Sequence, residues 1–153
     1  MKTSQEIIEL FLANTTNPDV IKSVVDINAT YISLNFDNPE LQKIMPWAGT
    51  HRDGAKGFID TFAGVNEFWT IQDFEVQDIF SEGDKVAVFG SFTYTSKTLN
   101  KQVNSPFSIL AKVRDERIYH FMFMEDTFAT AGSFRLTPAG TFHSDPKGTE
   151  FGL

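Results

Sequence analysis

The sequence predicts an α+β domain in which a curved, mostly antiparallel β-sheet wraps around N-terminal helices. Two observations carry that expectation. Apolar residues recur at intervals of three and four up to about residue 69, and from Phe74 onward the interval becomes two. The chain has 153 residues, 41% of them hydrophobic, which suffices for one sizeable core and leaves little length for a second domain.

Each element has its own local cause. Thr3 followed by Glu6 has capping-box spacing, and Ile7, Ile8, Leu10, Phe11 and Leu12 come next, so a helix is expected near residues 4 to 13. Asn17-Pro18 joins an N-cap residue to a proline suited to the first turn, and Ile21, Val24 and Val25 extend it into a second short helix. From Ala29 to Asn35 the pattern alternates. Thr30, Ile32 and Leu34 lie on one side and Tyr31, Ser33 and Asn35 on the other, which predicts a strand with one polar face. Asn38-Pro39 opens another short turn of helix, and Pro46 to Gly54 reads as a loop because its Pro and Gly residues oppose a regular element. Ala55, Phe58, Ile59, Phe62, Val65 and Trp69 form the strongest helical stripe, over about 54 to 69.

Four strands follow in an antiparallel meander, over about 73 to 80, 85 to 97, 102 to 113 and 117 to 126. The last two are apolar on both faces: Phe107, Ile109, Ala111 and Val113 oppose Leu110, and Phe121 and Phe123 oppose Met122 and Met124. Helices cover only one face of such a sheet, so a homodimer through the other face is expected. Residues 137 to 153 carry Pro and Gly without periodicity, which gives a domain over 1 to 136 and an irregular arm over 137 to 153.

Composition narrows the function. Thirteen Lys and Arg stand against 20 Asp and Glu, a net charge of −7 that opposes phosphate or anionic headgroup surfaces. Neither nucleic acid nor a membrane is an expected partner. The chain has no cysteine, which excludes disulfides, Cys-ligated metals and thiol nucleophiles. Without an apolar leader or a run long enough to cross a bilayer, the expected location is the cytoplasm. Sixteen Phe, two Trp and three Tyr make 14% of the chain aromatic, which suits a broad core or an apolar cavity.

The order of elements resembles the nuclear transport factor 2-like superfamily, specifically its SnoaL-like branch, related to ketosteroid isomerase and limonene epoxide hydrolase. The resemblance covers about residues 4 to 136 and rests on Tyr31-Ile32-Ser33-Leu34-Asn35, Trp47-Ala48-Gly49 leading into Gly57 to Phe62, and Phe121 to Phe128. It implies a cone-shaped sheet around one cavity that serves isomerases, cyclases, dehydratases, epoxide hydrolases and non-catalytic domains. In the isomerase pattern a carboxylate takes a proton beside a carbonyl and a hydrogen-bond donor holds the enolate, with neither metal nor cofactor.

Enzymatic relatives end the last strand with a run in which an Asp points inward; registered on Asp126, that position is Phe123. Glu125 lies two residues further on the face of Tyr119, Phe121 and Phe123, and a carboxylate there resists ionisation. It is the candidate base, with a solvated strand end as the plainer reading. Asp126, on the opposite face, suits the cap of the next segment. Residues 86 to 95 hold neither Arg nor Asp, which disfavours epoxide hydrolysis.

His51 falls where the resemblance places the cavity mouth and can donate a proton or bind a carbonyl oxygen; an exposed loop histidine is the alternative. His120, opposite Phe121, suits an interface or the core, and the three histidines lack ligand spacing, so no metal is expected. Tyr31, Ser33 and Asn35 offer donors to a ligand oxygen or form a solvated edge. Trp47, Phe58, Phe62, Trp69, Phe121 and Phe123 line a chamber or simply fill the core. The preferred expectation is a pocket for a small apolar ligand bearing a carbonyl or hydroxyl, with cofactor-free proton transfer through Glu125 and His51 or Tyr31. A ligand-binding module without chemistry and an assembly domain are the rivals.

Overall fold

The computed structural model describes residues 1–135, 141–142 and 146–152. Side-chain oxygens start the first helices. Thr3 and Glu6 cap reciprocally: Thr3 Oγ1 accepts from the Glu6 amide at 3.2 Å and Glu6 Oε2 from the Thr3 amide at 2.7 Å, opening α1 (Ser4–Leu12). Asn17 accepts from the amides of Asp19 and Val20 to open α2 (Pro18–Val24), and Asn38 does the same for the four-residue α3 (Pro39–Gln42). The long α4 (Ala55–Phe68) has no side-chain cap. Gly54 precedes it at φ 60°, where a Cβ would lie 2.4 Å from the Ile27 carbonyl oxygen, so the entry requires glycine.

The strands β1 (Val25–Ser33), β2 (Gly49–His51), β3 (Trp69–Glu82), β4 (Lys85–Ser96), β5 (Gln102–Arg114) and β6 (Arg117–Glu125) form one curved, unclosed sheet in the order β2-β1-β6-β5-β4-β3. Only β1 and β6 run parallel. Along β4 and β5 the even–odd alternation holds: Val88, Phe92, Phe107 and Ile109 face inward and Ala87, Phe89, Ser108 and Leu110 outward. A short α5 (Thr127–Gly132) follows β6, its first turn capped by Asp126 Oδ1 accepting from the Ala129 amide at 3.0 Å.

Several expectations need correction. β1 starts at Val25, directly after α2, and has no solvated polar face: β2 and β6 flank it, and Tyr31, Ile32 and Ser33 are all buried. The segment read as an irregular loop contains β2, in which Gly49, Thr50 and His51 pair with Ser33, Ile32 and Tyr31. Trp69, read as the end of the helical stripe, is the first residue of β3. Register shifts between Ile71 and Asp73 and between Val76 and Asp78 break the alternation there and hide the strand's start. In β6, Val113 pairs with Ile118 and Lys112 with His120, so Tyr119 is an extra bulge residue and Ile118 is the inward one. Within the expected irregular arm, β7 (Thr141–Phe142) pairs with β8 (Phe151–Gly152); 136–140, 143–145 and 153 lie outside the described residues.

The helices meet the sheet through one aromatic cluster. Phe11 of α1, Phe58 of α4, Tyr31 of β1 and Phe121 of β6 pack with ring centroids between 4.8 and 5.6 Å apart, mostly edge to face. Phe58 is fully buried, and Phe58→Ala is expected to cost about 3–5 kcal/mol in urea unfolding. Phe36 is 72% exposed, and Phe36→Ala should change stability by less than about 0.5 kcal/mol in the same assay.

Candidate active site

Beyond that cluster, α4 and the sheet stand apart and leave a cavity. Tyr31, Ser33 and Leu34 contribute from β1 and its end, Phe92 and Tyr94 from β4, and Phe123 and Glu125 from β6. Thr61, Phe62 and Val65 of α4 close the helical side; Trp47, Trp69 and Phe74 complete the wall. Counting its mouth, the cavity holds about 390 Å³ of empty space. Eight of the thirteen residues that line it are aromatic, so a flat ring can stack on its walls.

Local geometry accounts for the aromatic wall. A Cβ at Gly90 would lie 2.6 Å from the Phe107 ring and 2.0 Å from the Glu75 carbonyl oxygen, so glycine lets Phe107 lie against β4. Phe107 then stacks on Phe74 at 4.5 Å and on Phe123 at 5.4 Å. Trp47 and Trp69 meet edge to face at 5.1 Å, and Trp69 Nε1 donates to Ser133 Oγ at 3.0 Å, which ties β3 to the end of α5.

Glu125 is paired across the ladder with Phe107 and shares its strand face with Phe123. Among the described residues no hydrogen bond reaches its carboxylate. Burial, with a smaller push from the Asp126 charge, holds its pKa up at about 8. Burial also lifts the hydroxyls of Tyr31 and Tyr94 well above the usual tyrosine range, and the Glu125 charge lifts both further. Both tyrosines thus remain neutral hydrogen-bond donors beside a carboxyl that favours its neutral form.

Of the catalytic, donor and chamber candidates singled out in the sequence, seven line this cavity: Glu125, Tyr31, Ser33, Trp47, Phe62, Trp69 and Phe123. Phe58 and Phe121, expected to line it, are instead consumed by the cluster with Phe11. His51, expected at the mouth, stands outside the lining. Its Nε2 lies 2.7 Å from the Trp47 carbonyl, which can only accept, so that ring proton is committed to the loop. Asn35 does not share the face of Tyr31 and Ser33, because β1 ends at Ser33 and Leu34 adopts φ 69°. His120 pairs with Lys112 away from the cavity, and among the described residues no three His, Asp or Glu side chains converge as a metal site would require.

Tyr94 and Thr61 are among the lining residues that escaped the sequence reading. Tyr94 sits two positions after Phe92 in an alternating strand, and that spacing alone places it on the inner face. Thr61 lies three residues after Phe58 and four before Val65, a polar residue inside the apolar stripe. It is 2% exposed, and its hydroxyl has no partner among the described residues.

Residues 7–121 match the SnoaL-like domain family. Over 145 residues the chain is 46% identical to Patulin synthesis protein F of Aspergillus clavatus, an alignment spanning 90% of this chain and 73% of that one. Among solved structures, a nuclear transport factor 2-like protein of Burkholderia thailandensis superposes with a TM-score of 0.74 at 20% identity, covering 88% of this chain and 99% of that one. A protein described as a SnoaL-like polyketide cyclase, from Jannaschia sp. CCS1, superposes with a TM-score of 0.69 at 14% identity, covering 88% and 93%. Identities that low speak for the fold alone. With the family match and the close fungal relative in agreement with that fold, the chain belongs to the SnoaL-like domain family.

Proposed function

We propose that the protein is a cofactor-free enzyme that moves a proton on a small, flat, largely apolar molecule carrying a carbonyl. The observation that carries this reading is the Glu125 carboxyl, held neutral in an aromatic cavity beside the hydroxyls of Tyr31 and Tyr94. As carboxylate, Glu125 removes a proton from the carbon next to the carbonyl. A tyrosine hydroxyl donates to the oxygen on which negative charge develops. The proton now on Glu125 returns to another carbon, which isomerises the molecule, or to a departing hydroxyl, which leaves as water. The name of the Aspergillus relative supports a biosynthetic setting.

The assay uses acetophenone, whose methyl protons lie next to a carbonyl. The protein is expected to accelerate exchange of those protons for deuterium in D2O, followed by NMR, and Glu125→Gln to slow it by about a hundred- to ten-thousand-fold. Binding without exchange would instead support the non-catalytic ligand-binding reading. Because the carboxylate is the active form, the exchange rate should rise with pH through about 8.

The same group sets a pH-dependent stability. Its folded pKa of about 8 exceeds the ordinary 4.5, so the folded state holds the proton more tightly, and the stability this gives is lost as pH rises from 4.5 through about 8. Glu125→Gln should therefore gain stability over wild type, on the order of a few kcal/mol, above that window and not below it, as read by thermal melts across pH.

The outer face of the sheet supports pairing of two chains. Phe80 and Phe89 stack there at 6.1 Å while 58% and 45% exposed, and Leu110, Met122 and Met124 continue the apolar surface across β5 and β6. Sedimentation at micromolar concentration is expected to find a dimer that Leu110→Asp dissociates; a wild-type monomer would remove this part of the reading.

A further inference from the structure

The cavity has polar groups on two walls. Glu125, Tyr31 and Tyr94 belong to the sheet, and Thr61 belongs to α4, where its neighbour Phe62 stacks over Tyr31 at 6.1 Å. A threonine inside a helix ordinarily returns its hydroxyl to the carbonyl four residues back, here that of Gly57, and Thr61 makes no such bond. The hydroxyl is buried, lines the cavity and is unpartnered among the described residues. A buried hydroxyl without a partner has given up its bonds to water for nothing, so a ligand atom that bonds it is selected over one that does not. A ligand with one oxygen can serve only one wall.

We propose that the cavity takes a flat molecule with oxygens on two opposite edges, a carbonyl turned to the Glu125 and tyrosine side and a hydroxyl or second carbonyl hydrogen-bonded to Thr61 Oγ1. This rests on the reading of Glu125 as the working group and adds the substrate class: a dioxygenated ring, discriminated at Thr61 from its mono-oxygenated counterpart. Thr61 is then a specificity-determining residue on the helix, facing the chemistry on the sheet. A site built to bond an oxygen rejects the analogue lacking it far more strongly than an apolar wall rejects an added oxygen.

Isothermal titration calorimetry with acetophenone and 4-hydroxyacetophenone, on wild type, Thr61→Val and Thr61→Ser, tests this. Wild type should bind the hydroxylated ketone about five- to thirty-fold more tightly than the parent. Thr61→Val should erase that preference while still binding acetophenone, and Thr61→Ser should restore it. The Tm of Thr61→Val should equal or exceed that of wild type, since the hydroxyl has no bond within the fold to lose. A preference that survives in Thr61→Val, equal binding of both ketones by wild type, or a Thr61→Val Tm lower by several degrees would overturn the assignment and leave the role of Glu125 standing. Binding of neither ketone by wild type would overturn both.

Discussion

The site depends on the placement of one carboxyl among aromatic rings. Phe107 and Phe123, the ladder partner and face neighbour of Glu125, offer it no hydrogen bond, and the described residues supply none from elsewhere. Under those conditions the neutral acid is favoured and its pKa is pushed up to about 8. Burial, with the Glu125 charge, likewise keeps the hydroxyls of Tyr31 and Tyr94 protonated. The polar set is therefore uncharged at rest, which is how three ionisable groups coexist in an apolar interior without the penalty of an unpaired buried charge. Charge appears only when a proton moves, and the donors that would stabilise it are already in place.

The aromatic content of the chain is divided between two tasks, and the division explains which parts of the site could be read from sequence. One set of rings, Phe11, Phe58, Phe121 and Tyr31, holds the helices on the sheet. A second, with Trp47, Trp69, Phe74 and Phe123, stands around the empty space. Helical and strand spacing place both sets on inward faces and cannot separate them, since the choice depends on how far α4 stands from the sheet at each point. That distance follows from contacts remote in sequence, such as Phe11 against Phe121, 110 positions further along the chain. Hence Phe62 and Trp69 line the cavity, as the sequence suggests, whereas Phe58 and Phe121 belong to the packed cluster.

Elements with strong local causes were legible to within a few residues: the capping box of α1, the stripe of α4, the turns bounding β4, β5 and β6. Those set by a neighbour were not. β2 exists because Gly49, Thr50 and His51 pair along β1, and nothing in its composition announces a strand. The start of β3 is masked by two register shifts, and Trp69 fits both the helical stripe before it and the ladder after it. His51 illustrates the same limit at the level of a side chain. Its place in the loop before α4 was readable, but its pairing beside Tyr31 and its bond to the Trp47 carbonyl depend on how that loop folds onto β1.

The bulge in β6 connects the backbone to the chemistry. Ile118 faces inward with no exposure, and strict alternation from it would send His120, Met122 and Met124 into the core and turn Phe121, Phe123 and Glu125 outward. The extra residue, Tyr119, reverses the parity: Lys112 pairs with His120 on the far side, and Phe121 returns to the inner face. Tyr119 itself is held outside, its hydroxyl donating to Asp84 at 2.7 Å with Arg114 over its ring. The alternation argument reached Glu125 correctly only because it began from Tyr119 rather than from Ile118, the residue that the sheet buries. One inserted residue near the start of a strand thus decides whether a carboxyl at its far end faces outward or into the aromatic cavity, and with that whether its proton is held loosely or tightly.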